Sequence, residues 1–154
     1  EGWQAIAAQA QGEIAKIKQA QSEARTLFEK GQLDKALEEL NRQESQYGYD
    51  PEWRNLKHKV SQVLGFRKWQ EKHKARLERK QPDAALLKDL NKFAELQMPE
   101  IYWRSSPANE YLMYADQWTR REAARMIQSQ QGDFVPHLVN WLILRRTQQK
   151  LGMK

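Results

Sequence analysis

Trp3, Ala7, Ala10, Ile14, Ile17, Gln21, Ala24 and Phe28 recur at alternating steps of four and three residues, and all but Gln21 are apolar. That spacing predicts one long helix over residues 3 to 30. Ile6, Ala20 and Leu27 widen the face into a broad, alanine-rich stripe on which small side chains let a partner helix come close. Gly12 costs this helix about 1 kcal/mol relative to Ala without ending it. Gly31-Gln32 breaks the pattern, and Leu33, Ala36, Leu37, Leu40 and Tyr47 restart it on a second helix of about 14 residues, ended by Tyr47-Gly48-Tyr49-Asp50-Pro51. A short glycine-containing turn between two helical stripes predicts an antiparallel hairpin.

Asp50 followed by Pro51 reads as an N-cap with proline in the first turn. The helix it opens carries Trp53, Leu56, Val60, Val63 and Leu64 on one face and then meets Gly65. From Phe66 to Lys80 the apolar positions thin to Phe66, Trp69, Ala75 and Leu77, so the helix is expected to continue, projecting into solvent or resting lightly on a neighbour. Gln81-Pro82-Asp83 ends it, and Asp83 caps a further helix bearing Leu86, Leu87, Leu90, Phe93, Ala94 and Leu96, which Met98-Pro99 stops. Met98 to Pro107 is the longest irregular piece. Ser106 and Pro107 then open a helix through Tyr111, Leu112, Ala115, Trp118 and Ile127, closed by Gln131-Gly132-Asp133. The last helix, about Phe134 to Leu151, places Val135, Leu138, Val139, Leu142 and Ile143 on one stripe. That stripe is expected to be core, the alternative being a face that docks a second subunit or another part of a parent protein.

Within this pattern, the run Phe28-Glu29-Lys30-Gly31-Gln32-Leu33-Asp34-Lys35-Ala36-Leu37, with Ala20, Ala24 and Leu40, resembles one tetratricopeptide repeat over about residues 17–51. The resemblance implies a helical hairpin in which Ala24 and Ala36 let the two helices pack closely.

Composition agrees with helix throughout. Only 7 Gly and 5 Pro are spread along 154 residues, 40% of which are apolar and 30% charged, which is neither a disordered composition nor that of a turn-rich sandwich. The expected fold class is all-α: one helical domain over residues 1–154, with a repeat-like hairpin (1–50), a basic helix (51–81) and a C-terminal helical layer (82–154). A start at Glu1-Gly2-Trp3 suggests a piece of a larger protein.

Charge singles out one element. Of 26 basic residues, Arg54, Lys57, Lys59, Arg67, Lys68, Lys72, Lys74, Arg76, Arg79 and Lys80 lie between Trp53 and Lys80, against Glu71 and Glu78 alone. That stretch carries +8 of a chain whose total is +6. Such a helix is either a solvated face or a footprint for an anionic partner, and interleaved Trp53, Phe66 and Trp69 add surfaces able to stack on bases. The loop residues Tyr102, Trp103 and Arg104 form a second candidate, either plugging a gap between helices or displayed to a partner. The expected binding surface combines Arg67, Lys68, Trp69, Lys72, Arg76 and Arg79 with Tyr102, Trp103 and Arg104.

Catalytic chemistry finds little to work with. The chain has no Cys, and His58, His73 and His137 stand apart in sequence. Ser22, Ser45, Ser61, Ser105, Ser106 and Ser129 lie in helical or capping contexts without a glycine elbow, neither phosphate-binding glycine motif occurs, and Glu38-Glu39 falls on a charged face. The expectation is no enzyme, no cofactor and no metal, but a protein-interaction or scaffold module. Its partner is another protein or the remainder of the parent chain, with nucleic acid through the basic helix as the alternative and self-association through the first helix as a third reading. No stretch of 18 apolar residues is present, so no transmembrane segment is expected. The compartment stays open, with a soluble protein of the cytoplasm favoured.

Overall fold

The structure, a computed structural model, describes residues 2–129 and 135–152. It is all-α, and no strand occurs among the described residues. The chain divides into two compact units, Glu1–Leu64 and Gly65–Lys154. The division falls inside a helix rather than at residues 50 or 81, where the sequence pattern breaks.

The first unit holds α1 (Gly2–Glu29), α2 (Leu33–Arg42), α3 (Glu44–Tyr47) and the start of α4 (Pro51–Lys72). α1 and α2 form the expected hairpin. Gly31 closes α1 at φ 86°, a left-handed conformation that only glycine adopts cheaply. The Gln32 N–H donates to Leu27 O at 2.9 Å and the Gly31 N–H to Phe28 O at 3.1 Å, the crossed bonds of a Schellman cap. Ala24 and Ala36 are both fully buried in the hairpin, with Ile17, Ala20, Phe28, Leu33 and Leu40. The second helix is shorter than expected: it pauses at Gln43, and α3 makes one more turn. At Gly48 a Cβ would sit 2.5 Å from Glu44 O, so the close approach of backbone to backbone requires glycine.

Three polar contacts stitch this core. Asp50 caps α4, accepting the Trp53 N–H at 3.0 Å, and the same carboxylate oxygen accepts Gln21 Nε2 of α1 at 2.6 Å. Trp53, fully buried, donates Nε1 to Glu44 Oε2 at 3.2 Å and meets the Tyr47 ring edge-on, centroids 5.5 Å apart. Burial on α1 begins only at Ile17: residues 2–16 are exposed.

The second unit holds the rest of α4, α5 (Lys74–Glu78), α6 (Ala84–Phe93) with a 3-10 turn at Ala94–Leu96, α7 (Ile101–Arg104), α8 (Pro107–Ser129) and α9 (Val135–Lys150). α5 packs on α8, and α9 packs on both α6 and α8. Phe66, Leu77, Leu86, Leu87, Leu90, Ala108, Tyr111, Leu112, Ala115 and Leu144 form its core. The basic helix is not continuous. It breaks at His73 and resumes as α5, which turns Leu77 into the core instead of projecting into solvent. Asp83 caps α6 through the Ala85 and Leu86 N–H groups, and Ser106 caps α8 through the Asn109 N–H at 3.2 Å, both as expected.

Two expectations on this unit are corrected. The stretch from Met98 to Pro107 is not wholly irregular, because Ile101 to Arg104 make a helical turn. On α9 the expected stripe is core only in part: Ile143 packs against the core, but Leu138, Val139 and Leu142 are exposed, and the buried residues are Leu144, Thr147 and Gln148. Thr147 can enter the core because its hydroxyl reaches Ile143 O at 2.9 Å and Asn91 Oδ1 at 3.3 Å, satisfying a polar group that periodicity assigns to solvent. The expected helix end at Gln131-Gly132-Asp133, and Phe134, lie outside the described residues.

Candidate interaction surface

α4 carries Arg67, Lys68 and Lys72 in the second unit. Lys68 and Lys72 stand one turn apart, both exposed. Arg67 is half-buried, and it faces Tyr102 of α7 closely enough to bear on that hydroxyl's ionisation. Burial pushes the Tyr102 pKa up to about 12, while the Arg67 charge pulls in the opposite direction. The structure therefore brings the basic helix and the aromatic segment together at this pair.

The remaining expected residues are placed differently. Trp69 is half-buried against the core, its indole N–H held by Asp89 Oδ2 at 3.0 Å and its ring tilted on Phe93 and His73 at 5.5 and 5.1 Å. Trp103 likewise packs against the core, and its carbonyl accepts the Ser106 hydroxyl at 2.7 Å. Trp53 and Phe66 are buried outright. Arg76 pairs with Asp83, the cap of α6. Burial by itself would raise the Asp83 carboxyl, but hydrogen bonds from Arg76 and from the Leu86 and Ala85 backbone outweigh it and hold the carboxyl below its ordinary value. Arg104 pairs with Glu100 on its own turn. Arg79 is exposed.

The sequence pattern does not reveal what anchors this surface. Gln70, on the turn between Arg67 and His73, is buried and accepts the Ala108 N–H at 3.0 Å, so a glutamine of α4 satisfies a free donor at the start of α8. Tyr111 does the same for the α5–α6 connection: its hydroxyl accepts from the Asp83 N–H and donates to Gln81 O, both at 2.9 Å. Burial lifts the Tyr111 pKa to about 12.

A second feature is an apolar groove of about 490 Å³ between α8 and α9, lined by Thr119, Ala123, Ile127, His137, Leu138 and Trp141 among others. The only trace of it in the sequence is the outer stripe of α9. Among the described residues, no three His, Asp or Glu side chains gather to hold a metal ion. No helix of the described residues is long and apolar enough to cross a membrane. Comparison of the chain with known protein families, with curated proteins and with solved structures gives no match.

Proposed function

We propose that the chain is a non-catalytic protein-interaction or scaffold module of a larger protein or assembly, which docks an acidic protein segment on the face formed by Arg67, Lys68, Lys72, Arg79 and Tyr102. Its first hairpin is tetratricopeptide-like, a reading supported by the full burial of Ala24 and Ala36 at the turn-proximal packing. The observation that carries the choice of partner is the fate of the aromatics. Binding of single-stranded nucleic acid draws on rings free to stack on bases. On this helix Trp53 and Phe66 are core residues and Trp69 is locked to Asp89. What is left outward is cationic, with Arg67 and Tyr102 at one edge, and it suits carboxylates of an acidic peptide.

The test is fluorescence anisotropy of a labelled acidic peptide, and of single- and double-stranded oligonucleotides, at low and near-physiological salt. A Lys68→Glu/Lys72→Glu/Arg79→Glu variant serves as control. Peptide binding that disappears in the variant supports the reading. Oligonucleotide binding that persists at near-physiological salt overturns it in favour of nucleic acid, and binding of neither removes the surface altogether.

A further inference from the structure

α9 is partly inside out. Thr147 and Gln148 are buried, while Leu138 (48%), Val139 (49%) and Leu142 (45%) are exposed, as is Ile127 of α8 (66%). One exposed leucine is ordinary, but these four lie together near the end of α8 and the start of α9. Ile127 and Leu138 line the same groove with Ala123 and Trp141, and Val139 and Leu142 stand within about one turn of Leu138.

The charges rimming this apolar end are mainly cationic. α9 contains no Asp or Glu, and Arg146, exposed, follows Leu142 by one turn. Arg145 stands 5.8 Å over the Trp141 ring, and Arg120 lines the groove from α8. Asp116 meets Arg120 at Nε, 3.1 Å away, yet the Arg120 side chain is still 59% exposed. Farther along the chain, Glu122 is taken up by Arg125 at 2.9 Å, and Asp133 lies outside the described residues. Arg120 precedes Ile127 by two turns and Arg145 follows Leu138 by two turns, so on both helices a cation stands about 10 Å back from the apolar end.

An amphipathic helix sinks about 5–10 Å into the boundary between lipid headgroups and acyl chains, and Trp141, between the two levels, is of the residue type that favours that boundary. An acidic protein would answer the arginines and leave the aliphatic end in water, and a neutral apolar helix would do the reverse. A bilayer with anionic headgroups answers both, at this separation. We propose that the α8–α9 end is a peripheral membrane-binding surface: Ile127, Leu138, Val139 and Leu142 enter the headgroup–acyl boundary of an anionic bilayer, and Arg120, Arg145 and Arg146 engage the lipid phosphates. The chain lies on the bilayer there and does not cross it. This surface is independent of the basic face proposed above.

Cosedimentation of the whole chain with vesicles of phosphatidylcholine, and of phosphatidylcholine and phosphatidylserine in equal parts, tests it. Partition into the mixed vesicles is expected, with little into the neutral ones. Leu138→Ser/Leu142→Ser, at exposed positions and with helicity checked by circular dichroism, should lower the partition coefficient about tenfold or more. Arg146→Gln should lower it about fivefold. Lys68→Gln/Lys72→Gln/Arg79→Gln, on the other basic face, should change it less than Arg146→Gln does. Because the chain contains no Cys, Leu142→Cys carrying an environment-sensitive dye should shift to the blue on the mixed vesicles. Absence of partition into the mixed vesicles overturns the proposal, as does equal partition into the neutral ones. So does an unshifted dye on bound protein, or binding that survives Leu138→Ser/Leu142→Ser but is lost in Lys68→Gln/Lys72→Gln/Arg79→Gln, which would move the lipid contact to α4.

Discussion

The two units solve one problem in two ways. Each must fasten the start of a helix to the rest of its core, and each does so with an aspartate at the N-cap. In the first unit, Asp50 takes its long-range donor from a neutral amide, Gln21. In the second, Asp83 takes it from a guanidinium, Arg76, and its own N–H is held by Tyr111. The neutral latch rests on a buried donor, Gln21, whereas both partners of the charged latch are partly open to water, where an ion pair alone contributes little. The difference teaches that stability in the second unit resides in buried polar groups, Gln70 and Tyr111, more than in its visible ion pairs.

The largest effect that would break this contrast is expected at Trp53. Trp53→Ala removes the ring at the centre of the first unit and leaves Glu44 without its indole partner, for a loss of about 3–5 kcal/mol in urea denaturation. In the second unit, Gln70→Leu strands the Ala108 N–H and Tyr111→Phe strands both the Asp83 N–H and the Gln81 carbonyl. Each is expected to cost about 1–3 kcal/mol, more than removal of the Lys150–Glu95 surface pair, which should cost well under about 1 kcal/mol. A loss at Lys150→Ala comparable to that at Gln70→Leu would reverse the conclusion.

The latch charge sharpens the comparison through pH. Asp83 has its folded pKa lowered, so the stability it contributes is complete above the unfolded value of 3.8 and is lost as pH falls through the lower folded value. An NMR titration of its carboxyl should give a midpoint below 3.8, and Arg76→Gln should move that midpoint upward. Tyr111 runs the other way: with a folded pKa of about 12, raised by burial, its contribution is complete below the ordinary tyrosine range and is lost as pH rises toward that value. The smallest effect is expected at Gln97, held at φ 51° after the 3-10 turn. Gln97→Gly relieves a left-handed conformation and should raise stability by less than about 1 kcal/mol, seen as a small increase in Tm.

Much of this architecture is legible in the sequence, and what is legible is local. Asp50, Asp83 and Ser106 cap the helices they precede, and Gly31 makes its turn, because capping and left-handed geometry depend on a few adjacent residues. Periodicity also assigns Leu86, Leu87 and Leu90 to the core. It cannot say whether a stripe is covered. α1 carries one continuous seam, yet only its second half meets α2. α9 carries two adjacent faces, and the side that packs on α6 is the one with Thr147, whose polarity argues for solvent until its partners, Asn91 and the Ile143 carbonyl, are known. The break at His73 has no glycine or proline to announce it. The candidate surface is legible as charge, through Lys68, Lys72 and Arg79. That Arg67 meets Tyr102, and that Trp69 is held by Asp89, depends on contacts between residues some 20 or more apart in sequence, which no local pattern encodes.

The unequal burial of the tryptophans gives the molecule its own optical labels. Trp53, sealed from water, should emit toward the blue and resist iodide, while Trp3, at 83% exposure, should emit toward the red and be quenched freely. With Trp69, Trp103, Trp118 and Trp141 replaced by Phe, one spectrum would read the interior of the first unit and the tip of α1 at once, and a blue shift confined to the quenchable component would register an arriving neighbour at Trp3 with no dye attached.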